Sequence, residues 1–130
     1  MLLSIIIVSY KSTADIQHCL KSVCKPLLDN KEIEWIVVDN DAPNNSAAVL
    51  KQEFPFIQYI SLGYNAGFAR ANNAGIKMAK GETILLLNPD TLIKPNSIER
   101  CLERLTSSDA VACGVQLIHE NGLPQFSGSN

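Results

Sequence analysis

Two stretches set the class of fold: Leu2-Leu3-Ser4-Ile5-Ile6-Ile7-Val8-Ser9-Tyr10 and Thr83-Ile84-Leu85-Leu86-Leu87-Asn88-Pro89-Asp90-Thr91. Each is a short, nearly unbroken apolar run that ends abruptly in polar residues. The first is β-branched from Ile5 to Val8. Strands covered on both faces, as in parallel sheets, read this way, whereas half-solvated strands alternate. Strands are therefore expected over Leu2–Val8 and Thr83–Leu87, both buried in a parallel sheet.

Between and beyond these runs, helix and strand signals alternate. Ser12 to Asp15 has the form of a capping signal, and Ile16, Cys19, Leu20 and Val23 follow at one-face helical spacing. Pro26 is expected to end that helix near Lys25. Trp35-Ile36-Val37-Val38 reads as a second strand, closed by Asp39-Asn40-Asp41. A short helix is expected from about Ser46 to Glu53, and a third strand from Phe56 to Leu62. Gly63 to Gly67 reads as a loop, followed by a helix to about Lys80. Ala71, Ala74, Gly75 and Met78 give that helix a small-residue stripe able to lie close on a sheet. Gly81 suits its C′ position, with Lys77 and Lys80 in the last turn. Pro95-Asn96 opens a further helix with Ile98, Cys101, Leu102 and Leu105 on its buried face. Ala110 to Ile118 reads as a fifth strand, and the chain is polar after Gly122. The alternation gives an α/β class: a mainly parallel sheet with helices on both faces.

Composition excludes several functions. Hydrophobic residues make up 46% and charged residues 18% of the 130 residues, which is incompatible with a disordered chain. The net charge is -2, without the basic excess of a nucleic-acid binder. The uncharged run Met1–Tyr10 is too short to span a bilayer and lacks the marks of a signal peptide, so a cytoplasmic protein is expected. The four cysteines, Cys19, Cys24, Cys101 and Cys113, have no metal or redox spacing and read as reduced core thiols. His18 and His119 read as surface or structural residues. No G-x-G-x-x-G or G-x-x-x-x-G-K-[ST] phosphate loop occurs, and no Ser/His/Asp arrangement.

Polar groups gather instead where ligands bind in open α/β sheets, beyond the carboxyl ends of the strands. Strand one ends in Ser9-Tyr10, strand two in Asp39-Asn40-Asp41, strand four in Asn88-Pro89-Asp90. Strand one is expected to be central and beside strand four, with Tyr10, Asp39 and Asp90 converging on one edge. A carboxylate at a strand end, without a phosphate loop, points to a hard cation held by one or two carboxylates and substrate phosphates.

The ordered set Ile5–Tyr10, Trp35–Asn40, Asn65-Ala66-Gly67-Phe68-Ala69, Asn72–Ile76 and Gly81–Thr91 resembles the N-terminal half of family 2 inverting glycosyltransferases. The rhamnosyltransferase-like branch, with its N-P-D-T segment, is the nearest likeness. The resemblance implies a GT-A fold, a Rossmann-like nucleotide-binding half, over about residues 3–126. It implies that Val8, Ser9, Tyr10 and Asp39 hold the base and ribose. It implies that Asn65, Gly67, Phe68 and Asn73 close over the nucleotide. Asn88-Pro89-Asp90 stands where the D-x-D element does, an amide replacing its first carboxylate. Asn88 and Asp90 are thereby placed at the sugar diphosphate, with Asp90 the ligand of Mg²⁺ or Mn²⁺. Asp41 and Pro43 depart from the smaller residues usual in that turn.

The activity implied is transfer of a sugar, rhamnose first, from a dTDP- or UDP-sugar to a glycan or lipid-linked acceptor, with inversion. Residues 1–130 are expected to be one truncated nucleotide-sugar-binding domain. The acceptor half and general base lie outside it, so no catalytic residue is assigned, and the chain alone is expected to be inactive. Self-association through the apolar residues 110–118 and Phe126, and peripheral membrane attachment of the whole protein, are further expectations. Two rivals are a nucleotide-binding module without catalysis and a receiver-like signalling domain.

Overall fold

Strand β1 (Leu3–Ser9) is buried at every residue, and so is β2 (Ile33–Asp39). The structure, a computed structural model, describes residues 2–112, 117–118 and 124–125. The remaining elements are α1 (Thr13–Ser22), α2 (Lys25–Leu28), α3 (Ser46–Glu53), β3 (Gln58–Ser61), α4 (Phe68–Met78), β4 (Thr83–Leu87), α5 (Ser97–Thr106), β5 (Leu117–Ile118) and β6 (Pro124–Gln125). The chain divides into two compact units, residues 1–94 and 95–130.

The first unit holds a four-stranded, all-parallel sheet in the order β3-β2-β1-β4. Strand one is central and beside strand four, as expected. Ile6, Val8, Ile36 and Val38 share one face and pack against Ala71 of α4. The opposite face carries Ile5, Ile7, Trp35 and Val37, all but sealed from solvent, with α1 lying against β1 and α3. Burying one such side chain is worth about 1.5–3 kcal/mol, so the two continuous strands dominate the stability of the sheet. Gly75 makes the α4 contact possible: a Cβ there would stand 2.7 Å from Ile6 Cγ2. Ala71 joins Gly75 in the buried stripe, whereas Met78 is exposed.

The structure corrects several local expectations. Pro26 does not simply end a helix. α1 stops at Ser22, and Pro26 sits in the first turn of a separate one-turn helix, where its missing N–H costs nothing. Ser12 makes no side-chain cap; its hydroxyl donates to the Tyr10 carbonyl at 2.8 Å. Gly81 is not a left-handed C′ residue, since α4 ends at Ala79 in extended geometry. A Cβ at Gly81 would stand 2.5 Å from the Ser4 backbone nitrogen, so close approach to β1 is what requires glycine. β4 is not covered on both faces: it is the sheet edge of this unit, with Ile84 and Leu86 exposed. Of the cysteines, Cys19 is buried, Cys101 half-buried and Cys24 exposed; Cys113 lies outside the described residues.

In the second unit, α5 is followed by non-strand residues 110–112, with Val111 exposed. Within the expected fifth strand, Ala110–Ile118, residues 110–112 are not strand, and Leu117–Ile118 is strand, paired antiparallel with Pro124–Gln125. Residues 113–116 and Phe126 lie outside the described residues, and with them most of the surface expected to self-associate. No helix among the described residues is long and apolar enough to cross a membrane.

Candidate functional site

The carboxyl ends of β1 and β2 are locked together. Ser9 pairs in register with Asp39, and the Asn40 N–H donates to the Ser9 carbonyl at 2.7 Å. Val8, Ser9 and Asp39 are buried, while Tyr10, one residue beyond the strand, is exposed with Lys11 Nζ 5.3 Å from its ring centroid. Asp39 thus brings a buried carboxylate to the carboxyl edge of the sheet. Two donors hold its Oδ2. One is the Tyr59 hydroxyl from β3; the other is Asn44 Nδ2 from the following turn, at 3.0 Å. Asn44 also donates to the Ala42 carbonyl and accepts from the Ser46 N–H, which shapes the turn containing Asp41 and Pro43. Burial, then the hydrogen bond and charge of Asp39, push the Tyr59 phenol above its ordinary value of 10.0, against a smaller opposite effect of Ser46. Ser46 in turn shares a 2.6 Å hydrogen bond with Thr13 at the start of α1.

The loop after β3 is fastened to the same edge. Asn40 Nδ2 donates to Asn65 Oδ1 at 3.1 Å, and the Ala66 N–H donates to Asn40 Oδ1 at 2.8 Å. Asn65 Oδ1 also accepts from the Gly67 N–H at 3.0 Å. Gly67 takes φ 90°, a conformation open to glycine, and α4 starts immediately after it. Phe68 is exposed at the start of that helix. Asn73 is exposed as well, and the buried asparagine of α4 is its neighbour Asn72.

β4 ends at Leu87, one strand from Ser9, and the Thr91 N–H closes a turn on the Asn88 carbonyl. The chain then runs along α1, where the Ile93 N–H donates to Ser22 Oγ at 2.8 Å. Asn88 and Asp90 are exposed. Burial first, and the charge of nearby Asp90 second, push the Cys19 thiol up to about 11. The structure therefore joins Ser9, Asp39, Asn40, Asn65 and Gly67 in one hydrogen-bonded assembly. It places Asp90 beside α1, without a described contact to Asp39 or Tyr10. No group of three His, Cys, Asp or Glu side chains among the described residues could hold a metal ion.

Asn40, within this assembly, and Asn44 and Tyr59, which bond Asp39, are not among the site residues expected from the sequence. Asn40 could have been found from its place in a polar strand end. Tyr59 could not, because only the β2–β3 register sets Val37 opposite it and brings its hydroxyl to Asp39.

Residues 4–129 match the profile described as Glycosyl transferase family 2. The chain is 31% identical over 128 residues to the low-salt glycan biosynthesis hexosyltransferase Agl10 of Haloferax volcanii, a match covering 94% of this chain and 38% of that protein. Among solved structures, it superimposes with a TM-score of 0.67 on S. aureus TarS 1-349 in complex with UDP-GlcNAc, at 22% identity. That match covers 82% of this chain and 32% of the other. A TM-score of 0.66 relates it to the mannosyltransferase PcManGT from Pyrobaculum calidifontis in complex with GDP-Man and Mn²⁺, at 18% identity over 79% of this chain and 32% of that one. Such identities speak for the fold, which is the Rossmann-like GT-A arrangement. The chain spans well under half the length of the curated relatives it matches, 43% and 38% for two of them.

Proposed function

This chain belongs to glycosyl transferase family 2, and on that footing we propose that it is the donor-binding part of an inverting glycosyltransferase. The donor is a uridine or thymidine diphosphate sugar, with rhamnose the first candidate. The acceptor is a glycan or lipid-linked hydroxyl, and the protein works in the cytoplasm or at the membrane surface. One observation supports this reading above the others: Asp39 holds a buried carboxylate at the carboxyl edge of adjacent parallel strands, in register with Ser9. Neither a receiver-like domain nor a nucleotide module without chemistry is favoured by family membership.

In this reading Val8, Ser9, Tyr10 and Asp39 bind the nucleoside. The loop carrying Asn65, Gly67 and Phe68, with Asn73, closes over it. Asn88 and Asp90 face the diphosphate. The donor set at the end of β4 is an amide oxygen and a carboxylate, which suits Mg²⁺ or Mn²⁺ completed by substrate phosphates and does not suit zinc. Such an ion, when bound, would be held by Asp90 and would supply several kcal/mol of charge stabilisation at the departing diphosphate. The residues of this chain orient the donor so that its anomeric carbon is open to an acceptor hydroxyl on the side opposite the leaving group. Base catalysis, typically worth about 10²–10⁴-fold, is assigned to no residue of these 130.

Calorimetric titration of the intact protein with UDP, dTDP and GDP, with and without Mn²⁺, tests the reading. Asp90→Asn is expected to abolish the Mn²⁺-dependent part of binding and to leave the fold intact. Asp39→Asn is expected to weaken binding with and without metal. Absence of nucleoside diphosphate binding refutes the function, and equal Mn²⁺ enhancement in wild type and Asp90→Asn refutes the role of Asp90.

A further inference from the structure

An ionised carboxylate offers about four lone-pair sites, two on each oxygen. At Asp39 the two on Oδ2 are taken, one by the Tyr59 hydroxyl and one by Asn44 Nδ2 at 3.0 Å. Oδ1 accepts from no donor among the described residues. Trp35 Nε1 is the one fully buried side-chain nitrogen or oxygen among them that lacks a partner. Oδ1 of Asp39, likewise without a described partner, is therefore not wholly sealed, although the residue as a whole is only 3% exposed.

Both donors are firmly placed. Tyr59 sits opposite Val37 in the β2–β3 ladder, so its side chain leaves the sheet on the same face as Asp39, two residues farther along β2. Asn44 is anchored at both ends of its amide, by the Ala42 carbonyl and the Ser46 N–H. The carboxylate consequently cannot turn its second oxygen outward without breaking two hydrogen bonds.

We propose that Tyr59 and Asn44 are positioning residues that make Asp39 a one-oxygen acceptor, and that this selects uracil or thymine over guanine in the donor nucleotide. The proposal rests on the reading of Asp39 as the residue that meets the base. Uracil and thymine present a single imide N–H flanked by carbonyl oxygens, which one acceptor satisfies. Guanine presents two adjacent donors, N1–H and N2–H, which a carboxylate satisfies only with both oxygens. Against Asp39 the second guanine donor would be left unpaired in a desolvated site, a penalised arrangement. Cytosine presents an acceptor at N3 and would meet the carboxylate lone pair to lone pair. The structural neighbours bind UDP-GlcNAc in one case and GDP-Man in another, so the fold alone leaves the base open.

Phenol burial keeps Tyr59 a donor throughout the working pH range, since its pKa is raised and not lowered. Tyr59→Phe removes the hydroxyl and keeps the ring. Oδ2 then regains a free lone pair, and the carboxylate can swing to present both oxygens.

The test is calorimetric titration of the intact protein with UDP and GDP in parallel, with thermal melting as the control for folding. Wild type is expected to bind UDP in clear preference to GDP. In Tyr59→Phe the UDP-to-GDP affinity ratio is expected to fall about tenfold, equivalent to about 1.4 kcal/mol. In Asn44→Ala, at an exposed turn position, it is expected to fall about threefold, or about 0.7 kcal/mol. A merely structural role would weaken both nucleotides in proportion and leave the ratio unchanged. An unchanged ratio in Asn44→Ala overturns the proposal, whether or not Tyr59→Phe folds. Wild-type protein that binds UDP and GDP equally overturns this proposal alone. Wild-type protein that binds neither overturns the proposed function as well.

Discussion

Glu34 is a carboxylate in the middle of the sheet, 5% exposed, and its removal is the most informative perturbation of the fold. Its Oε2 accepts from the Ser4 hydroxyl and from the Lys80 N–H, each at 2.5 Å, and its Oε1 accepts from Gln58 Nε2 at 2.7 Å. Ser4 Oγ in turn accepts from the Gly81 N–H at 2.8 Å. One side chain thus ties β1, β2, β3 and the approach to β4. Glu34→Ala leaves the Ser4 hydroxyl and the Lys80 N–H without acceptors; Gln58 is only half-buried and recovers with water. An unsatisfied buried donor costs about 1–3 kcal/mol; the Ser4 hydroxyl is buried and the Lys80 N–H only partly so, and a loss of about 2–3 kcal/mol is expected. At roughly 4 °C per kcal/mol for a domain of this size, melting should fall by about 8–12 °C. Glu34→Gln should be far milder. Its amide oxygen still accepts from Ser4 and Lys80, and Gln58 can turn over to offer its own carbonyl to the new amide nitrogen. Only the charge assistance is lost, about 1 kcal/mol. Burial alone would raise the Glu34 pKa. The hydrogen bonds from Ser4, the Lys80 N–H and Gln58, with the Lys80 charge, outweigh it and hold the group below the ordinary 4.5. A depressed folded value means that this stabilisation is fully present above the unfolded pKa and is lost as pH falls through the folded one. The gap between wild type and Glu34→Gln should therefore be constant from neutral pH down to about 4.5 and close below it. Circular-dichroism melts and urea titrations over this range measure it. A Glu34→Ala loss below about 1 kcal/mol, or a Glu34→Gln loss as large as that of Glu34→Ala, refutes the network as a stabilising unit.

The Gly81→Ala variant puts a Cβ 2.5 Å from the Ser4 nitrogen and 2.7 Å from the Leu3 carbonyl carbon, both backbone, so no rotamer change relieves it. A loss of about 2–3 kcal/mol in urea denaturation is expected, and a change within 0.5 kcal/mol would show that β1 and the turn before β4 separate freely. Cys19, buried and with its thiol pushed up to about 11, should resist iodoacetamide at pH 8 in the folded protein, while exposed Cys24 reacts. Mass spectrometry of the alkylated peptides decides, and comparable labelling of both sites would contradict the packing of α1 on the sheet.

Much of the molecule was legible along the chain. The unbroken apolar runs at 5–8 and 36–38 can be stable only when covered on both faces, which demands a parallel sheet with helices on either side. The polar breaks after them mark one edge, where Ser9 pairs with Asp39 and Asn65 bonds Asn40, while Asp90, expected to converge there with Tyr10 and Asp39, makes no described contact with either. The bounds of α3, Ser46–Glu53, are legible as well, because its signals are local. Errors fell where the deciding contact is distant in sequence. Pro26 is compatible with ending one helix or starting another, and residues on both sides are needed to choose. Gly81 fits a helix cap by position, but what excludes a side chain there is Ser4, 77 residues away. The apolar composition of 110–112 reads as strand, yet no neighbouring strand supplies its hydrogen bonds among the described residues.

The class of fold, the direction of the strands and the polar edge of the sheet are written in the chain. These follow from local hydrophobic pattern and from the polar residues that interrupt it. Tertiary contacts alone hold Glu34 between β1, β3 and the turn before β4, let Asn40 fasten the loop carrying Asn65 and Gly67, and set Tyr59 and Asn44 on one oxygen of Asp39. Each of these depends on strand register or on a loop returning to the sheet. Register has no signature in either strand taken alone, because the side-chain period of two is the same for every pairing that keeps the faces matched.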